Sequence, residues 1–196
     1  VNAAGRANVC LLGGSLGASD LESRLKSHFQ LADADLQLRA LSDNRGTDLR
    51  SPRVFLDEPV VEAAEKAFPK AQLIQTYFVN GLQSGENITP YSMITAARAP
   101  LVPEDMQDDE IILNKWAAGD LNANPGDEVK LTYHVVGAGR NLIERTNTFR
   151  VKKLVPMSGV HFDRELMPDF PGMTDAESCQ DWDTGFAIDR DQLRSK

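Results

Sequence analysis

The chain has 196 residues, of which 41% are hydrophobic and 26% charged, enough apolar material for a core without disulfide staples. Its 21 Lys and Arg against 29 Asp and Glu leave a formal net charge of −8. A field of that sign repels phosphate backbones and anionic lipid headgroups, which argues against nucleic-acid binding and a polybasic membrane anchor.

No apolar run approaches the roughly 18–20 residues of a membrane span, and no secretory apolar segment opens the chain. Val1 at one end and Leu193–Lys196 at the other close no recognisable element, so both ends read as cuts in a longer chain. Cys10 and Cys179 lie too far apart to make the paired ligands of a zinc site, and two cysteines are too few for a disulfide scaffold. A long-range disulfide and two separate thiols both stay open.

In chain order, Ala7–Leu12 reads as a short apolar strand that stops at Gly13-Gly14. A helix over about Asp20–Phe29 follows. Ser19 or Asp20 would cap it, Glu22 would complete a capping box, and Leu21, Leu25, His28 and Phe29 fall on one face. Leu36–Leu41 alternates Leu36, Leu38 and Ala40 against Gln37 and Arg39, the pattern of a half-buried strand. Val54–Leu56 reads as another. A second helix starts at Asp57 or Glu58, with Pro59 in its first turn, an apolar stripe of Val60 or Val61, Ala64, Ala67 and Phe68, and Pro69 past its end.

Two strands come next, Gln72–Leu82 and Ile88–Ala97, joined through the turn Ser84-Gly85-Glu86-Asn87. Ile111–Leu113 is a strand, Asn114 caps a short helix carrying Trp116, Ala117 and Leu121, and Asn124-Pro125-Gly126-Asp127 has Pro and Gly where a type II turn needs them. Val129, Leu131, Tyr133 and Val135 then alternate against Lys130, Thr132 and His134. After a break at Gly137–Gly139, a partner strand runs from Ile143 to Val155, and loops follow from Pro156.

Three constellations carry residue types that could do chemistry. Gly13-Gly14-Ser15-Leu16-Gly17, between a strand and a helix and with Asp43 after the next strand, stands where a dinucleotide loop would present backbone N–H groups. The spacing is not Gly-x-Gly-x-x-Gly, and repeated βαβ units are missing, so an ordinary turn is the better reading. Between Asp163 and Asp191 nine acids face only Arg164 and Arg190. Within that run Asp175, Glu177, Asp181, Asp183, Asp189 and Asp191 were weighed as metal ligands, and Asp181 and Asp183 ahead of Gly185 resemble half of a calcium loop. The third early ligand and the closing bidentate Glu are absent, which leaves a solvated acidic loop. Of His28, His134 and His161, only His161 is a loop histidine with an acid, Asp163, close by, and no Ser sits in a Gly-x-Ser-x-Gly elbow. No catalytic, cofactor-binding or metal-ligating residue is assigned.

The strand–helix–turn–strand run Ile111–Leu131, IILNKWAAGDLNANPGDEVKL, resembles a segment of the extracytoplasmic domain of MacB/FtsX-type ABC transporter permeases. The matching places are Asn114 at the strand end, Ala117 and Leu121 on the helix, Gly126-Asp127 in the turn, and Val129 with Leu131 on the next strand. Phe149–Val155 is similar to that family's closing strand. Thr89-Pro90-Tyr91-Ser92, and Met167–Gly172 leading into Cys179–Asp183, are similar to one bacterial subgroup. The similar parts cover about half the chain, mostly after residue 72.

The expected fold is α+β: mixed sheets with a few short helices, as two packed subdomains over residues 1–100 and 101–196, the second mostly β with an acidic, loop-rich end. The resemblance implies a MacB-like periplasmic core. It implies a non-catalytic domain at the periplasmic face of the bacterial inner membrane, coupling helix motion to cargo or partner proteins. Its partners would be an ABC-type ATPase, reached through the full permease, and a transported substrate or periplasmic protein, with a homodimer in the full transporter. The membrane helices would flank Val1 and Lys196. Two other readings stand beside it: a soluble periplasmic binding or adaptor module, and an enzyme using the acids of Asp163–Asp191.

Overall fold

A computed structural model describes Gly14, residues 17–170, 172–174, 176, 181–183 and 188. The strand expected at Ala7–Leu12, both cysteines and the acids Asp175, Glu177, Asp189 and Asp191 lie outside these residues.

The fold is α+β. Strands β3 (Ile74–Ser84), β4 (Asn87–Ala97), β5 (Glu110–Asn114), β6 (Glu128–Val136) and β7 (Leu142–Val155) form one sheet in the order β4-β3-β6-β7-β5. Every pairing in it is antiparallel except β5 with β7. A doubly wound nucleotide fold needs a parallel sheet, so this topology is a different one. The sheet takes β3 and β4 from before residue 100 and β5–β7 from after it, so the division expected near residue 100 falls inside a single sheet.

Turn chemistry sets the registers. The β3–β4 hairpin closes through Gly85 and Glu86, with Gly85 at φ 57, the positive value that the first position of a type II′ turn requires. In Asn124–Asp127 the Asp127 N–H donates to the Asn124 carbonyl at 3.1 Å, and Gly126 at the third position has φ 96. That is the type II geometry its Pro-Gly pair predicts. Val79 and Leu82 are three residues apart, yet both are core, which a strict period of two forbids. The ladder is interrupted between them: Asn80 and Tyr91 form no bridge, and Tyr91 takes φ 49.

Helix α3 (Lys115–Leu121) lies against this sheet, touching β3, β4, β5 and β7. Its first turn is capped by the Asn114 side chain, which accepts from the Ala117 N–H at 2.8 Å. It stops where Asn122 turns left-handed at φ 50 and the Ala123 N–H reaches back to the Ala118 carbonyl. Ala117, Ala118 and Leu121 are buried, whereas Trp116 is 36% exposed. Leu121 meets Val79, Leu82, Ile111, Leu113, Val129, Leu131 and Val151 in one apolar cluster. On β6 the expected alternation holds as far as Leu131, with Val129 and Leu131 buried and Glu128 and Lys130 exposed, whereas Thr132, Tyr133, His134 and Val135 are all half-buried.

The first third is organised differently. α1 (Ala18–His28) begins two residues earlier than the Ser19 cap would allow: Gly17 is the N-cap, and its N–H donates to Asp20. Leu25 and Phe29, on the expected apolar face, are exposed. β1 (Gln37–Ala40) pairs antiparallel with β2 (Thr47–Arg50) as a separate two-stranded sheet. Leu36, just before β1, is buried as expected, but within the strand Leu38 is 62% exposed and Arg39 is the half-buried residue, the reverse of the expected alternation. Val54–Leu56 is no strand. Val54 takes φ 73, which no extended residue adopts, and Thr47–Arg50 holds the strand position instead. α2 (Glu58–Ala67) follows the reading closely, with Asp57 at the N-cap and proline in its first turn, though Phe68 beyond it is 70% exposed.

Leu121 is fully buried, so Leu121→Ala should lower the unfolding free energy by about 2–5 kcal/mol. Phe68→Ala, at an exposed site, should change it by no more than about 0.5 kcal/mol. Urea titration followed by circular dichroism checks both; equal losses would place the core elsewhere.

Candidate functional site

The densest arrangement of charge in the described residues joins the β1–β2 hairpin to the segment 159–169. β7 delivers that segment: past Val155 the chain runs into two short 3-10 turns, Gly159–Phe162 and Arg164–Leu166. Asp163 caps the second of them, its Oδ1 accepting from the Glu165 N–H at 3.0 Å. This presents the Asp163 and Glu165 carboxylates together toward the hairpin, where Arg45 donates to both. Glu165 Oε2 also accepts from the Ser42 hydroxyl at 2.6 Å and from the Ser42 N–H at 3.2 Å.

On the strands, Arg39 and Arg50 both donate to Asp48 Oδ2, at 2.9 and 2.7 Å. They also share the backbone carbonyl of Glu165, with Arg50 at 3.1 Å, and Arg50 reaches Asp169 at 3.2 Å. Among the described residues, Arg39 Nε and Arg50 Nε are buried without a hydrogen-bond partner, as is Asp48 Oδ1. The clasp therefore brings a hairpin and a loop more than 110 residues apart in sequence into one ion-pair network.

The charges respond as such contacts require. The Arg45 hydrogen bond holds Asp163 below the ordinary carboxylate range, and Ser42 donors followed by Arg45 do the same for Glu165. Arg45 itself is raised, chiefly by Asp163. For Arg50 burial works against the charge, but Asp48 and Asp169 more than offset it. A smaller clamp joins β7 to β5 and the loop before it. Lys152 Nζ lies 2.9 Å from Glu110 Oε2 and 3.1 Å from Asp105 Oδ2, and Glu110 is lowered first by the Gln107 N–H and then by Lys152. Arginine keeps its proton throughout the accessible pH range, so Arg39, Arg45 and Arg50 hold and orient carboxylates but do not themselves transfer a proton.

The residues weighed from sequence are dispersed. His28 and His161 are both exposed, on α1 and in the first 3-10 turn. His134 stands on β6 opposite Glu144, its Nε2 3.3 Å from the Asn80 amide nitrogen, which in turn donates to Glu144 at 3.0 Å. The acid nearest His161 in sequence, Asp163, is taken up by Arg45. Asp43 is an exposed turn residue at φ 57. Asp181 and Asp183 are exposed, and Trp182 between them packs edge-on against Phe78, with ring centroids 6.0 Å apart. The Asp183 N–H donates to the Gly172 carbonyl at 2.8 Å. Gly172 has φ 80, and a Cβ there would collide with the Asp183 carbonyl, so glycine is required at that crossing. Among the described residues no three His, Cys, Asp or Glu side chains are grouped to hold a metal, and no helix is long and apolar enough to cross a membrane.

The arginines were missed in the sequence. Their signal was present: Arg39, Arg45, Arg50 and Arg53 fall within one short stretch of an otherwise acidic chain, while the acid-rich run begins at Asp163. No protein-family model matches the chain, and no curated protein matches it significantly.

Asp163 and Glu165 titrate lower in the fold than in the unfolded chain, where carboxylates sit near about 4. Their contribution to stability is therefore complete above that value and is lost as pH falls through the lower folded values. Arg45→Ala should lower the melting temperature at pH 7 and flatten its fall between pH 5 and about 2.5. Calorimetry across that range checks this; an unchanged pH profile would show that the clasp contributes nothing.

Proposed function

We propose that this chain is a non-catalytic extracytoplasmic domain of an ABC transporter permease of the MacB/FtsX type. It couples the motion of membrane helices outside this chain to cargo or to a partner protein at the periplasmic face of the bacterial inner membrane. The ATP is hydrolysed by a separate ATPase domain or subunit.

The observation that carries this reading is that two of the similar pieces, Ile111–Leu131 and Phe149–Val155, make one physical unit. Asn114 caps α3, Ala117 and Leu121 pack into the core, Gly126-Asp127 forms the type II turn, and Val129 and Leu131 line the core face of β6. Phe149–Val155 on β7 pairs with β6 on one side and β5 on the other. Residues that fix a strand–helix–turn–strand frame are those a family retains while its substrates vary. The acids Asp163, Glu165 and Asp169, which an enzyme reading would recruit, are engaged with Arg45 and Arg50.

Sequencing the gene on both sides of this segment tests the reading: apolar stretches of about 20 residues are expected before Val1 and after Lys196. A reading frame that closes near both ends without them would overturn it. Calorimetric titration of the purified chain with Mg-ATP should give no micromolar binding, because no Gly-x-x-x-x-Gly-Lys loop exists in the sequence to cradle the phosphates.

A further inference from the structure

The two long edges of the five-stranded sheet are unequal. The β4 edge is interrupted by Pro90, which has no N–H to offer, and by Tyr91 at φ 49. At the other edge β5 covers β7 only from Arg150 onward, since Glu110, its first residue, pairs with Arg150. Residues 142–148 of β7 are all exposed, and among the described residues no strand pairs with their outer side.

The hydrogen bonds at both ends of β7 fix which backbone groups that edge presents. The Val151 N–H donates to Asp127 and its carbonyl accepts from Gly126, on the β6 side, while the Arg150 N–H donates outward to Asp109. At the far end Gly137 N–H donates to the Asn141 carbonyl, again on the β6 side. The β6–β7 register is unbroken from Glu128 with Arg150 to Val136 with Leu142. Odd-numbered residues of β7 therefore bond to β6, and Leu142, Glu144, Thr146 and Thr148 direct their N–H and carbonyl groups outward.

We propose that this edge pairs antiparallel with the same edge of a second copy of the chain, about a two-fold axis at Thr146. Outward groups must face outward groups, so even residues oppose even ones and only alternate registers are allowed. A dyad at Glu144 would set two carboxylates face to face, and one at Arg145 two guanidiniums. With the dyad at Thr146, Glu144 lies opposite Thr148 of the second copy, Arg145 opposite Asn147, and Ile143 opposite Phe149. No like charges meet, and the threonine pair continues the ladder already formed by Thr132 and Thr146, whose hydroxyls are 3.1 Å apart. Seven paired residues bury less than the roughly 1,200 Å² of a stable interface, so the dimer is a weak, reversible one. This inference stands on the sheet edge and does not depend on the transporter reading.

Sedimentation equilibrium of the full chain over a concentration series tests it. The apparent mass should rise from one chain toward two, and Thr146→Lys, which sets two ammonium groups across the axis at an exposed site, should raise the apparent dissociation constant at least about tenfold. With Cys10 and Cys179 replaced by serine, Thr146→Cys should oxidise to a covalent dimer, since opposed hydrogen-bonded residues lie about 5.5 Å apart at Cα. Glu144→Cys should not, its counterpart being four residues, or about 13 Å, away. A chain that stays monomeric at every concentration, a dimer that Thr146→Lys leaves intact, or equal cross-linking from both cysteines would each overturn the proposal.

Discussion

Val151 is where the fold is decided. Its N–H and carbonyl are both bonded to the Gly126-Asp127 turn, its other side is aligned with Ile111 of β5, and its side chain is 1% exposed. A slip of β7 by one residue would turn Phe149 and Val151 outward and bring Arg150 toward the core. The turn prevents that slip. Gly126 can take φ 96 without strain, and the geometry it permits sets the distance between the end of α3 and the start of β6. The α3 cap, the burial of Leu121 and the position from which the 159–169 segment departs all follow from this one alignment.

The part of the chain built on that alignment was legible in the sequence, because its signals are local and agree with one another. Val129, Leu131, Tyr133 and Val135 alternate, Pro125-Gly126 demands a turn, Asn114 is an N-cap at the right distance from Ala117, and Gly85 closes a hairpin between two apolar runs. Consistency across levels is what makes a segment readable. The alternation at Leu36–Leu41 is equally clear, yet it holds only for Leu36 and points the wrong way at Leu38 and Arg39. Among the described residues nothing apolar covers Leu38, which is 62% exposed. The inward side of the two-stranded sheet is instead set by Arg39 and Arg50 converging on Asp48 and on the Glu165 carbonyl. Periodicity reports which residues share a face, and it cannot report that the face is electrostatic.

The clasp was not legible for a related reason. Its two halves are separated by more than 110 residues, and each alone looks like ordinary solvated charge. Asp163 read as the neighbour of His161, when its partner in space is Arg45. Likewise the stripes on α1 and around α2 are real in the sequence, but Leu25, Phe29 and Phe68 are exposed among the described residues. An amphipathic pattern identifies the apolar face of a helix without naming what lies against it.

Two different forces thus hold the two ends of the described chain, and they fail under different conditions. The sheet and α3 are joined by buried aliphatic surface, which salt strengthens slightly and pH does not touch. The β1–β2 hairpin is joined to the 159–169 segment by guanidinium–carboxylate pairs near the surface, which salt screens over about 8–10 Å and acid neutralises. The aromatic contacts between them, Phe55 on Tyr77 and Tyr77 edge-on to Tyr133, tie the loop after the hairpin to the sheet independently of charge. Weakening the ion pairs therefore acts on the contact between the hairpin and the 159–169 segment and not on the buried aliphatic surface that joins α3 to the sheet.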